Sequence, residues 1–170
     1  RGFARSELKR ELPSSSPRVA CEDTQHSKVV ATIGAMYGGK GVPVEGCITP
    51  DAVFEDPAAK VVSESEVREA FRALKIMHPQ TLAMEIITER YNGDNDIYLE
   101  MDLWQQYRLG PFPFKVYSRL IVKAKDDERI SSIEERWQNA SLLAFQPFLA
   151  VRRLNGIISY NLTSLVVPTL

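Results

Sequence analysis

The apolar positions of this chain follow two periods, and the change from one to the other divides it. Downstream of Ser27, the residues Val29, Val30, Ile33, Met36 and Tyr37 recur at the three- and four-residue spacing of a helix, and Gly38 and Gly39 supply the backbone freedom at which such a helix ends. Ser63 and Glu66 form a capping-box pair, and Val67, Ala70, Phe71, Leu74 and Met77 then make the stripe of a second helix that stops before Pro79. Between the two, residues 49–57 read as a short buried helix. Thr49 would be its N-cap, Pro50 its first residue, Ala52, Val53 and Phe54 its inward face and Pro57 its stop.

After Pro79 the period becomes two. Strands are expected over residues 80–92, 96–109, 114–125 and 129–139, separated by the turn residues of 92–95, a stiff connection through Gly110, Pro111, Phe112 and Pro113, and the acidic turn 126–128. Successive strand side chains point to opposite faces, so each strand has an inward and an outward set. Taking the more apolar set as inward gives Leu82, Met84 and Ile86, then Leu99, Met101 and Leu103, then Phe114, Val116, Leu120 and Val122, and finally Ile133 and Trp137. Gln105, Ser118 and Glu135 are the polar members of that inward set. The outward set mixes Tyr98, Trp104, Tyr117 and Ile121 with Glu85, Glu89, Glu100, Asp102, Arg119 and Arg136.

Three segments follow. Residues 1–26 are a flexible or partner-docking arm rich in Arg and Ser, the composition of a transit-peptide remainder or of a solvated terminus. Residues 27–141 are the folded domain. Residues 142–170 are an apolar, partly helical extension with no charged side chain after Arg153, suited to packing on its own domain, on another subunit or, through 148–170, on a membrane surface.

The totals exclude more than they assign. With 21 basic and 22 acidic side chains the formal charge is −1, and no strand interleaves basic residues with exposed aromatics, so nucleic acid is not an expected partner. Cys21 and Cys47 fit neither a metal site nor a redox pair. No metal or other cofactor is expected, and the Gly38-Gly39-Lys40-Gly41 run lacks phosphate-loop spacing.

A small element ending in Glu55-Asp56-Pro57, an amphipathic helix and four long strands resemble the nuclear transport factor 2-like superfamily, close to its polyketide-cyclase-like branch. The resemblance spans roughly residues 27–139 and implies an α+β cone, about three helices on a curved, mainly antiparallel sheet that encloses a cavity. Phe54, Met101, Leu103, Gln105, Ser118 and Trp137 would then line a ligand site. It also implies that the outward face, through Tyr98, Trp104, Tyr117, Arg119 and Ile121, is buried in a homodimer or larger assembly.

Catalytic candidates under this resemblance are Asp56, His78, Glu135 and Tyr37. A carboxyl held between Ile133 and Trp137 would be desolvated and its pKa raised, as a general acid or base at neutral pH requires, unless Arg72, Arg108 or a backbone donor pairs with it. Asp56 would be a pocket carboxylate or a local cap before Pro57. The last strand, Ile133-Glu134-Glu135-Arg136-Trp137-Gln138, departs from the His-x-Asp-x-Trp/Tyr-Asp pattern of the family at its first and last positions. That departure favours a non-catalytic association module, an accessory subunit of an organelle assembly in a mitochondrion or plastid, over an enzyme. The alternatives are a cofactor-independent isomerase, cyclase or dehydratase of small molecules, and a binder of an apolar ligand without turnover.

Overall fold

The computed structural model describes residues 26–43, 46–91, 96–125, 127–138, 153–157 and 160. Helix α1, Ser27–Ala35, continues as a wider π-helical turn over Met36–Lys40. Gly39 ends it with a φ of 74°, and a Cβ there would also stand 2.7 Å from Pro79 Cγ, so only glycine fits. Helix α2, Glu64–Ala73, is capped by the Ser63 hydroxyl, which accepts the Glu66 N–H, and it tightens into a 3₁₀ turn at Leu74–Met77. The Glu66 carboxylate completes the cap one residue early, accepting the Val62 N–H at 2.8 Å.

Among the described residues six strands form one sheet: β1 Ile48–Glu55, β2 Lys60–Val62, β3 Gln80–Tyr91, β4 Ile97–Leu109, β5 Phe112–Ala124 and β6 Ile130–Trp137. Their order is β2-β1-β6-β5-β4-β3, with β1 and β6 parallel and every other pair antiparallel. The α+β cone is thus present, with helix side chains packed on one sheet face. Val29, Val30 and Ile33 of α1, Met36 of the turn that follows it, and Val67 and Phe71 of α2 share a core with Met84, Leu99, Met101, Leu103, Leu120, Val122 and Ile133. Burying these side chains is the main stabilising term, about 1.5–3 kcal/mol each.

The short helix expected at 49–57 is a strand. Its register against β6 runs from Ile48–Ile130 to Val53–Ser132, a large bulge, and exposed Pro50 and Asp51 lie inside it. Proline therefore sits where no ladder bond needs its missing N–H. Ala52 and Phe54 are buried on alternate positions, which a short helix and a strand both allow in so brief a run. β2, too short to carry a pattern, pairs with β1 and went unread in the sequence. β5 begins two residues earlier than expected. Pro113 is tolerated there because β6 pairs with β5 only from Ser118–Trp137 onward.

β3 also departs from simple alternation. Its pairing with β4 slips between Thr81 and Ala83 and again between Ile86 and Thr88. Leu82 is the extra residue of the first bulge and is only half-buried, while Ala83 and Met84 are buried. The second bulge re-aims Glu89, which strict alternation places outward. Glu89 Oε1 lies 3.0 Å from Nε2 of buried His26, which also meets the Tyr91 hydroxyl at 2.7 Å and ties β3 to the start of α1.

Residues 153–157 are helical and lie on the β1–β2 connection. The Arg153 guanidinium pairs with Glu66, its Nη2 at 2.9 Å, and holds that carboxyl below its usual range. Asn155 Nδ2 donates to the Ala58 carbonyl at 2.9 Å. At Gly156 a Cβ would stand 2.3 Å from the Lys60 carbonyl oxygen and 3.0 Å from Val61 Cγ1. We therefore expect Gly156→Ala to lift this segment and to cost about 1–3 kcal/mol in urea denaturation. Leu154→Ala, at an exposed neighbour, should be silent.

Candidate functional site

A cavity of about 530 Å³ opens between α2, the ends of β1, β5 and β6, and the 153–157 segment. Its wall is mostly apolar: Phe54 and Val61, the α2 residues Ala70 and Phe71, Leu74, Ile76 and Met77 of the following turn, and Phe114 and Val116. Phe71 holds the inner end together, its ring centroid 5.0 Å from that of Tyr37 and 4.9 Å from that of Phe54. Asn155 and Gly156 complete the rim, so the C-terminal segment contributes to the site.

Into this wall the period of β6 places Glu135, buried to 5% exposure between core residue Ile133 and half-exposed Trp137. Three neutral donors reach its carboxyl. Tyr37 O–H donates to Oε2 at 2.9 Å, while Ser118 O–H and Trp137 Nε1–H donate to Oε1 at 2.6 and 3.0 Å. Burial raises its pKa, the nearby Asp56 carboxyl adds to the rise, and the three hydrogen bonds oppose it without cancelling it. Among the described residues no cation pairs with Glu135. Arg72, named above as a partner, bonds Glu69 at 2.9 Å, and Arg108 is exposed.

Tyr37 stands at the turn after α1, completely buried, and its hydroxyl pKa is pushed well up by burial and then by the Glu135 charge. A second tyrosine belongs to the same wall. Tyr107 O–H donates to Gln105 Oε1, and Gln105 Nε2 donates to the Tyr37 carbonyl at 2.8 Å and to Thr81 Oγ1 at 3.1 Å. Gln105 therefore fixes both tyrosines from behind, and burial keeps the Tyr107 phenol protonated. Asp56 fills both roles weighed for it. Its Oδ1 accepts the N–H groups of Ala58 and Ala59 at 2.7 and 2.5 Å, closing the β1–β2 turn, and its side chain lines the cavity.

The structure thus gathers Tyr37, Asp56 and Glu135 at one cavity and leaves His78 out. His78 is exposed, held in the left-handed region at φ 44° between the end of α2 and Pro79, and is not part of the lining. Of the six expected ligand-binding residues, Phe54 and Trp137 line the cavity. Gln105 and Ser118 stand behind it as hydrogen-bond supports, and Met101 and Leu103 are core. They sit too far along β4 to reach the open end. Tyr107 was missed because it carries no signal beyond the same alternation that places Gln105 and Leu103.

The expected association residues Tyr98, Trp104, Tyr117, Arg119 and Ile121 share the opposite sheet face through the pairs Tyr98–Lys123, Glu100–Ile121, Asp102–Arg119 and Trp104–Tyr117. Among the described residues no group of His, Cys, Asp and Glu is placed to hold a metal, and no helix is long and apolar enough to cross a membrane. The N-terminal arm and most of the C-terminal extension lie outside the described residues.

No protein-family profile and no curated protein matches the chain. Solved structures do. The Orange Carotenoid Protein of Anabaena (Nostoc) sp. PCC 7120, binding canthaxanthin, superposes with a TM-score of 0.52 at 12% identity, over 87% of this chain and 46% of its own. A protein of unknown function from Mycobacterium tuberculosis gives 0.50 at 14%, over 83% and 87%. The epoxide hydrolase/cyclase-like enzyme SalBIII, which acts in pyran ring formation in the polyether salinomycin, gives 0.50 at 16%, over 66% and 90%. At these identities what is shared is the backbone, and the chain has the cone fold of the nuclear transport factor 2-like superfamily.

Proposed function

We propose that the cavity is an active site in which this chain's own acid–base groups move a proton on a small, largely apolar carbonyl compound, as an isomerase, cyclase or dehydratase does. The observation that carries this reading is the Glu135 carboxyl, set in an apolar wall and held by three neutral donors with no cation opposite among the described residues. A buried carboxylate without a counter-charge costs several kcal/mol, and a hydrophobic side chain of similar volume would pack the wall more cheaply. A carboxyl whose pKa burial lifts above its ordinary value is suited to take and return a proton.

Ionised Glu135 takes a proton from the carbon beside the carbonyl, the C–H electron pair becomes the new C=C bond, and the carbonyl π pair moves onto oxygen. Once protonated, Glu135 has a proton to donate to the Tyr37 oxygen, which releases the Tyr37 O–H to bond the enolate oxygen. Return of the proton to another carbon, or loss of a leaving group, completes an isomerisation or an elimination.

Carriage of a ligand without turnover is the second reading. It is favoured by the fact that both Glu135 oxygens and the Tyr37 hydroxyl already have partners. The fold serves both uses, since an epoxide hydrolase/cyclase-like enzyme and a canthaxanthin-binding protein share it. Neither the described residues nor the matched structures support an accessory subunit of an organelle assembly.

The test is deuterium exchange of the α-protons of a panel of small cyclic and aryl ketones, followed by NMR in D₂O with the full chain. Exchange well above the buffer rate supports the enzyme. Ketones that bind but do not exchange leave the carrier.

A further inference from the structure

The cavity wall has an electrostatic sign. Its described lining holds two carboxyl side chains, Asp56 and Glu135, and no Lys, Arg or His. Six of its residues are aromatic: Tyr37, Phe54, Phe71, Tyr107, Phe114 and Trp137. Aromatic faces carry the negative end of the ring quadrupole and attract cations, most strongly where water is excluded. The two acids are close enough to act on common neighbours, since Asp56 and Glu135 both push the Tyr37 and Tyr107 hydroxyls up. Both described carboxyls on this lining favour positive charge, and an aromatic wall adds to that preference wherever a ring turns its face to the ligand.

A ligand's own charge decides how it meets such a wall. An anion would face Glu135 across an apolar space with no described lining cation to balance it, and low local dielectric enlarges that repulsion. A neutral apolar molecule gains burial but leaves Glu135 without a counter-charge among the described residues. A substituted ammonium gains both terms. Its alkyl groups sit against Phe54, Phe71 and Phe114, and its charge serves as the counter-ion that Glu135 lacks among the described residues.

We propose that the physiological ligand carries a cationic, alkyl-substituted ammonium group on an apolar body, and that Glu135 and the ring faces of the cavity select it. This deepens the reading given above and rests on the same cavity being the ligand site. It narrows the ligand to amines and quaternary ammonium compounds, and it sets a cost against carboxylic acids and phosphate esters. The volume of about 530 Å³ lies in the ordinary range for a small-molecule pocket and has room for a benzyl group with a trimethylammonium head.

The experiment compares three probes of similar shape on the full chain at neutral pH, with affinities read by ligand-observed NMR. They are benzyltrimethylammonium, its neutral isostere neopentylbenzene, and anionic phenylacetate. The cation is expected to bind on the order of 10- to 100-fold more tightly than the neutral isostere, with no detectable binding of the anion. In Glu135→Gln the advantage of the cation over the isostere should fall to a few-fold while the isostere's own affinity holds. Equal binding of cation and isostere to the wild type overturns the proposal without needing the variant to fold, as does a preference that survives in Glu135→Gln. Failure of all three probes to bind also overturns it. Ketone exchange separates the two readings, because loss of the cation preference with exchange intact removes only the ligand class, and the reverse result removes only the turnover.

Discussion

Glu135→Gln is expected to lower ketone α-proton exchange by about 100- to 10,000-fold, the usual worth of a positioned general base, while leaving the fold in place. The amide keeps the carboxyl's shape. Its oxygen still accepts from Ser118 and Trp137, and its NH₂ group turns toward the Tyr37 hydroxyl, which rotates to accept. What is lost is the capacity to ionise. The same variant should show a distinct pH dependence of stability. Burial holds the Glu135 pKa above its ordinary value of 4.5 in the folded chain, so folding favours the protonated form. Its stabilising contribution is therefore complete below the unfolded pKa and is lost as pH rises through the folded one. Relative to the wild type, Glu135→Gln should gain stability from about pH 4.5 upward and level off above the folded pKa, as urea midpoints across that range would show. A flat difference would mean that the carboxyl is solvated. Tyr37→Phe supplies an independent check. It removes a donor to the carboxylate form, so the rise of exchange rate with pH should shift to higher pH.

Where the sequence was legible, period and punctuation agreed. The two helices are bounded by Gly39, Ser63 and Pro79, and β4 and β6 keep strict alternation, so Leu99, Met101, Leu103, Gln105, Ile133 and Glu135 all face the side their spacing requires. Glu135 could be picked out because it is a charged residue on an otherwise apolar set. Where the sequence misled, a bulge intervened. The insertion around Pro50 and Asp51 gives β1 the appearance of a capped turn, and the two slips in β3 leave Leu82 only half-buried and turn Glu89 toward His26. A bulge adds one or more residues without a fixed composition, so alternation fails across it with no local warning.

The site was legible only along single strands. Alternation says which face Ser118, Gln105 and Tyr107 share, but the depth of each along the cone depends on pairing register, which no single strand encodes. Hence Met101 and Leu103 fell into the core when they were expected at the cavity, and the support that Gln105 gives both tyrosines could not be foreseen. His78 illustrates the same limit. Its position at a helix end beside Pro79 is clear from the sequence, whereas its turning outward depends on the left-handed conformation of one residue.

The largest expected loss of stability lies on the other sheet face, at Asp102→Ala, about 3 kcal/mol. Asp102 is completely buried although it belongs to the outward set. It stands directly opposite Arg119 in the β4–β5 pairing, receiving Nε at 2.7 Å on one oxygen and Nη2 at 3.1 Å on the other, with the Tyr117 hydroxyl at 2.9 Å. Hydrogen bonding to Asp102 raises the Arg119 pKa further, and since a guanidinium is protonated at any ordinary pH in any case, it stays charged when that partner is removed. Removing Asp102 leaves that charge, 15% exposed, with the Glu100 carboxylate at 2.9 Å, and takes from the Tyr117 hydroxyl the carboxylate it donates to. Breaking a buried pair from one side costs about 3–5 kcal/mol, and the surviving Glu100 contact places the cost at the lower end. Replacing both partners, Asp102→Leu with Arg119→Leu, should recover most of it, because two apolar side chains of adequate volume need no counter-charge. Urea denaturation of the two single variants and the double variant measures the coupling directly. Additive losses would show that each side chain acts through separate contacts, and a cost below about 1 kcal/mol for Asp102→Ala would place the pair in solvent. Since Asp102 and Arg119 face away from the cavity, ligand affinity should be unchanged in any of the three that remains folded, which separates the stability of the sheet from the chemistry of the site.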